Sequence, residues 1–150
     1  MKKSVRILSL ALVIVMVALM FTSCGSKYPA LKKAFEEKGY TENTSFTGIS
    51  NTIKAELEKD EYAVELYLLT KSNGISSVMI VEFKSTKDMV EAYEKSATIQ
   101  GLVTDISKNE DVNKVYNALV DAGYASGNCL CIPMSLLYVN EITNVVKSVK

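Results

Sequence analysis

Histidine and tryptophan are absent from the 150 residues, proline occurs twice and cysteine three times. Without histidine, no Ser-His-Asp or Cys-His catalytic machine can be assembled, nor any zinc site that uses imidazole. Carboxylate, lysine or tyrosine chemistry stays open, but no spacing marks it. There is no run of basic residues, so the charge pattern does not suit nucleic acid. The sequence has no internal repeat, no low-complexity tract and no Asp-x-Asp-x-Asp-Gly calcium loop. No cofactor is expected.

What the chain does have is one long apolar run. Lys2, Lys3 and Arg6 precede Ile7 to Phe21, which is uncharged and broken only by Ser9. As a helix this run would be about 22 Å long at ~1.5 Å per residue, short of the ~30 Å hydrocarbon core. Cations before it and small residues after it fit a secretory signal. The run closes on Phe21-Thr22-Ser23-Cys24, followed by Gly25-Ser26.

That ending resembles the lipobox of bacterial lipoproteins, although Phe21 stands where the family usually has Leu. The resemblance covers the signal and its cleavage site only. It implies that 1–23 are removed as a lipoprotein signal peptide and that the Cys24 thiol carries a diacylglycerol. It also implies acylation of the palmitate kind. Two acyl chains give a stable anchor, since each buried methylene contributes ~0.8 kcal/mol and one chain is marginal. An uncleaved signal anchor, or ordinary cleavage leaving Cys24 as a free thiol, would also put the later residues outside the cytoplasm. The expected location is therefore the extracytoplasmic face of a cell membrane, inner or outer.

Loss of 1–23 leaves 14 Lys plus Arg against 17 Asp plus Glu, a net charge of −3. About 127 residues form one compact domain, not a two-lobed solute-binding protein. Residues 24–29 read as a lipidated tether, and 30–150 as a single α+β domain. Pro29 opens a helix over Ala30 to Lys38, stopped by Gly39. Tyr40 to Thr47 reads as a weak strand, and Ser50 or Asn51 caps a helix to Lys59. Tyr62 to Lys71 and Ile75 to Lys84 form a hairpin through Ser72-Asn73-Gly74, because Asn-Gly accepts positive φ. The second strand carries Ile75, Met79, Val81 and Phe83 on one face and Val78 and Ile80 on the other, which places it centrally in its sheet.

A helix from Ser85 to about Ile99 follows, then an ambiguous stretch from Gly101 to Ser107. The capping box Ser107-Lys108-Asn109-Glu110 starts a helix ended by Gly123. Asn128 to Met134 is a strand, and Ser135 caps a last helix with Tyr138, Ile142, Val145, Val146 and Val149 inward. The order predicts a small antiparallel sheet with helices on one face, arranged as the split β-α-β of the ferredoxin-like fold with extra helices.

Cys129-Leu130-Cys131 is the only constellation with chemical potential. Residues two apart on a strand share a face, so these thiols would suit oxidation or a soft metal such as Cu(I). Their apolar neighbours favour packing as small buried residues. The acidic string Glu56, Glu58, Asp60, Glu61 and Glu65 alternates with lysines and reads as a solvated helix end. Asp88, Glu91 and Glu94 take the outer face of a helix. Asn43-Thr44-Ser45 matches a glycosylation sequon, which a bacterial lipoprotein gives no meaning. Tyr67 and Tyr93, if gathered on an open sheet face, would form a binding platform; otherwise they are ordinary core and rim residues. The expected function is a membrane-anchored extracytoplasmic lipoprotein that binds a protein or cell-envelope partner, or serves as an accessory domain, and does not catalyse. The alternative is a thiol or copper-handling protein acting through Cys129 and Cys131.

Overall fold

The computed structural model describes residues 25–103, 106 and 111–149. Cys24 and the capping box at 107–110 lie outside the described residues. The elements run α1 (Tyr28–Glu36), β1 (Tyr40–Asn43), α2 (Ile49–Lys59), β2 (Val64–Lys71), β3 (Ser77–Phe83), α3 (Thr86–Lys95), α4 (Ala97–Leu102), α5 (Val112–Ala122), β4 (Ala125–Ser126), β5 (Cys129–Pro133), a 3-10 turn (Leu136–Tyr138) and α6 (Val139–Ser148). The fold is α+β, as the sequence predicts.

The β2–β3 hairpin is the nucleus of the sheet, with Leu66 opposite Val81 and Leu68 opposite Met79. Its connection is longer than two residues. Gly74 takes a φ of +72°, the Gly74 N–H donates to the Lys71 carbonyl at 2.8 Å, and the Lys71 N–H donates to the Ser76 carbonyl at 2.8 Å. Asn73 Oδ1 accepts from the Ile75 N–H at 3.0 Å. Ile75, expected inward on the strand, is therefore carried out into the turn and is 59% exposed.

The sheet order is β1-β2-β3-β5-β4, and every neighbouring pair is antiparallel. This is not the ferredoxin-like order, in which the helix after the first strand carries the chain back so that strands run parallel. Here Asn43 at the end of β1 pairs with Leu68 in β2, so α2 sits in an excursion that returns to the end of the sheet it left. Element order alone does not distinguish these two paths. β3 is the middle strand, as its two apolar faces require.

Those two faces also overturn the expectation of helices on one side. Ile53 and Leu57 of α2 join helices α3 to α5 over Leu68, Met79, Val81, Leu130 and Ile132. On the opposite face, Leu31 and Phe35 of α1 and Ile142, Val145 and Val146 of α6 cover Leu69, Val78, Ile80, Cys129 and Cys131. Each fully buried aliphatic side chain contributes roughly 1.5–3 kcal/mol. A sheet apolar on both faces is stable only when both are covered.

Two boundaries shift. Helix α1 begins at Tyr28, inside the expected tether, and the Tyr28 ring stacks on Tyr67 with centroids 3.4 Å apart. The helix expected from Ser85 to Ile99 breaks at Ser96, whose backbone is extended (φ −90°, ψ 109°). Its hydroxyl caps α4 by accepting from the Ile99 N–H at 3.1 Å. Asp111 caps α5, its carboxylate accepting from the Asn113 N–H at 3.0 Å. Among the described residues, no helix is long and apolar enough to cross a membrane.

Candidate functional site

Strand alternation brings Cys129 and Cys131 to one face of β5, as expected from their spacing. Both are wholly buried beneath α1 and α6 and carry free thiols. Burial, with the nearby Glu82 carboxylate, pushes the Cys129 thiol up to about 12. Burial also raises the Cys131 thiol well above its ordinary value. Such sulfurs are neutral at physiological pH and out of reach of solvent, the opposite of a reactive-thiol environment. Among the described residues no three His, Cys, Asp or Glu side chains gather as a metal set.

Tyr67 and Tyr93 do not come together. Tyr67 lies on the α1 and α6 face and Tyr93 in the core of the other, and helices close both sides of the sheet. The acidic string is the solvated end of α2 and the chain that follows it, as expected, with Glu58, Asp60, Glu61 and Glu65 exposed and one structural member. Glu56 accepts hydrogen bonds from Ser96 Oγ and from Thr98 Oγ1, the latter at 2.7 Å. These bonds, Ser96 first, hold its carboxyl below the ordinary range and tie α2 to the start of α4.

Where β2 turns into β3, a polar cluster closes the sheet. Tyr40 Oη donates to Glu141 Oε1 at 2.8 Å and lies 2.5 Å from the buried Ser76 Oγ. Lys71 Nζ reaches both Glu141 oxygens, at 2.8 and 2.7 Å. Its ammonium also stands 5.6 Å from the centroids of the Tyr40 and Tyr138 rings. Desolvation first, with Glu141 reinforcing it, lifts the Tyr40 phenol to about 12. No member is a free nucleophile: the hydroxyls are buried and the ions are paired.

Beside this cluster the surface turns apolar. Leu136 and Leu137 in the 3-10 turn are 80% and 83% exposed, and Ile75 stands in the neighbouring hairpin turn. Asn73 Nδ2 donates to Tyr138 Oη at 3.2 Å, and the Met134 N–H donates to the Ser77 carbonyl at 2.9 Å, joining the two turns. Sequence reasoning passed over both leucines. The available signal is that they fall outside the helical stripe of Tyr138, Ile142, Val145, Val146 and Val149 and so have no inward place to go.

The other end of the sheet receives the amino-terminal side of the domain. Ser26 lines a cleft with Val64, Glu82, Phe83 and Asn128, the start of β2, the end of β3 and the residue before β5. Lys27 lies across Gly127. From there a groove of about 640 Å³ opens between α5, β4 and α6, with Val120, Ala125, Val146 and Val149 among its lining. Compared with known proteins, the chain matches no family model, no curated protein and no solved structure.

Proposed function

We propose that the chain is a lipoprotein anchored through Cys24 at the extracytoplasmic face of a membrane. Its folded part is a binding or accessory domain that meets a protein partner with the end of the sheet farthest from the tether. The observation that supports this reading is the polarity of the molecule. Gly25 to Lys27 alone separate Cys24 from α1, a reach of about 10 Å at most. The hairpin strands span seven to eight residues, about 25 Å at ~3.3 Å per residue. Leu136, Leu137 and Ile75 project from the end away from the anchor, where burying them in a bilayer is not available and a protein cleft is.

Single exposed leucines are ordinary on a protein surface; three large aliphatic side chains grouped at one end mark recognition. The charges beside them, Lys71 and Glu141, neutralise each other at 2.7 Å. Contact with this tip is therefore apolar and only weakly sensitive to salt.

Two measurements test the two halves of this reading. Mass spectrometry of membrane-fraction protein should find a chain that starts at an acylated Cys24, and Cys24→Ala should abolish both the modification and the membrane association. An intact amino terminus on soluble intracellular material would sink the anchor. A photo-crosslinker at position 137 should give one discrete heterologous adduct that Leu136→Asp removes. Adducts only with a second copy, or none, would sink the partner reading.

A further inference from the structure

We propose that the groove between α5, β4 and α6 is a binding site for a fatty-acid anion. The alkyl chain would lie against Val120, Ala125, Val146 and Val149, with its carboxylate between Lys27 and Lys147. The volume of about 640 Å³ falls within the range of small-ligand sites, ~300–1,000 Å³, whose walls are mainly apolar with few charged groups. Ala125 and Val146 are buried at the floor, at 2% and 1% exposure, while Lys147 stands exposed at the rim on the last turn of α6. A mainly aliphatic lining that also carries two lysines is the complement of an amphiphile with an acidic head.

Three details of the lining fix the class of ligand. Lys27 and Lys147 have no carboxylate within 4.0 Å among the described residues, so their charges are unspent. Lys27 is also held in place: a Cβ on Gly127 would fall 2.5 Å from Lys27 Cγ, so glycine there lets the lysine stem lie flat across the turn. The Ser126 hydroxyl is committed to the Val149 carbonyl at 2.7 Å, which leaves the cations as the principal handle. Asp121 shares the lining and leaves it one positive charge in excess. That balance suits a singly charged carboxylate and disfavours a doubly charged phosphate ester.

The site stands independently of lipidation at Cys24, and its test keeps the two apart. The full chain in its native membrane is irradiated with a twelve-carbon fatty acid bearing a terminal diazirine, and adducts are mapped by peptide mass spectrometry. Adducts should fall on the peptides containing Val120 and Val146. A cationic alkyl-ammonium diazirine of equal length should give less than a tenth of that labelling. Unlabelled fatty acid of equal length should compete with the probe, and the alkyl-ammonium of equal length should not. Lys27→Glu with Lys147→Glu should remove most of the labelling. Val120→Trp, from a half-buried position, should block it by filling the groove, with the thermal midpoint showing that each variant is folded. A Cys24→Ser chain should label as before. Equal labelling by the cationic probe, adducts elsewhere, or folded variants that label normally would overturn the proposal.

Discussion

Tyr40 and Glu141 lie 101 positions apart and are joined by one 2.8 Å hydrogen bond from the phenol to Glu141 Oε1. Because Tyr40 spends its proton there, Ser76 donates to the phenol oxygen, and the two buried hydroxyls are satisfied against a carboxylate that still reaches solvent. The bond links the outer strand β1 to α6 across the end of the hairpin. Tyr40→Phe should lower the unfolding free energy by about 1–3 kcal/mol, since it strands the buried Ser76 hydroxyl and removes a bond to a charged acceptor. Urea unfolding checks this; an unchanged midpoint would show that the cluster does not hold these elements.

Stability should fall on acidification. Three glutamates are held below their ordinary range: Glu141 chiefly by its hydrogen bonds from Lys71, Glu42 by Lys32 and Glu56 by Ser96. A carboxylate that is more acidic in the folded state contributes stability above its unfolded pKa of about 4.3 and loses it as pH drops through the folded value. Unfolding free energy should therefore be flat near neutrality and decline below about pH 4.3. Glu141→Gln should be less stable at pH 7 and show a shallower acid limb. A variant limb as steep as the wild type would remove Glu141 from this account.

Two glycines in the left-handed region separate backbone strain from lack of space. At Gly74 (φ +72°) an added Cβ would meet nothing within 4 Å, so Gly74→Ala should cost only about 1 kcal/mol of strain. At Gly123 (φ +86°), which ends α5, the same atom would fall 2.5 Å from the Thr143 carbonyl oxygen of α6. Gly123→Ala should add a clash with backbone and cost about 3 kcal/mol or more. Thermal midpoints of the two variants check the order, and equal losses would refute the packing argument.

Thiol reagents should leave the native protein alone. In a Cys24→Ser chain the remaining thiols, Cys129 and Cys131, are both wholly buried, and Cys129 is pushed up to about 12. Neither should react at pH 8, and both should react in denaturant. The slow native rate should follow the global unfolding equilibrium. Fast modification of either cysteine in folded protein would revive a redox or copper role.

Much of the local structure was legible because it is written in neighbouring residues. Asn73-Gly74 announces the hairpin, the double-sided apolarity of Val78 to Val81 places β3 in the middle, and Gly123 stops α5. Sheet order was not legible, because β1 and β2 choose their pairing through contacts across the excursion that holds α2. Ser96 sits inside a continuous helical pattern, and its break rests on both its cap of the Ile99 N–H and its tertiary partner Glu56. Strand β4 is two residues long, too short for any periodic signal. The candidate surfaces were least legible. Leu136 and Leu137 lie outside the helical stripe, but only the fold sets them beside Ile75 at one end, and the groove needs Lys27 and Lys147 brought together from opposite ends of the domain.

The central strand has a consequence for how the chain comes to be folded. β3 has no wet face, and one of its partners, β5, is delivered 46 residues after β3 ends. Until that late segment arrives, β3 offers an open, greasy border to any passing extended chain. Folding of this protein is thus a race between the arrival of its own carboxy-terminal third and capture by a stranger. A chain held loosely until its last strand is available would win it.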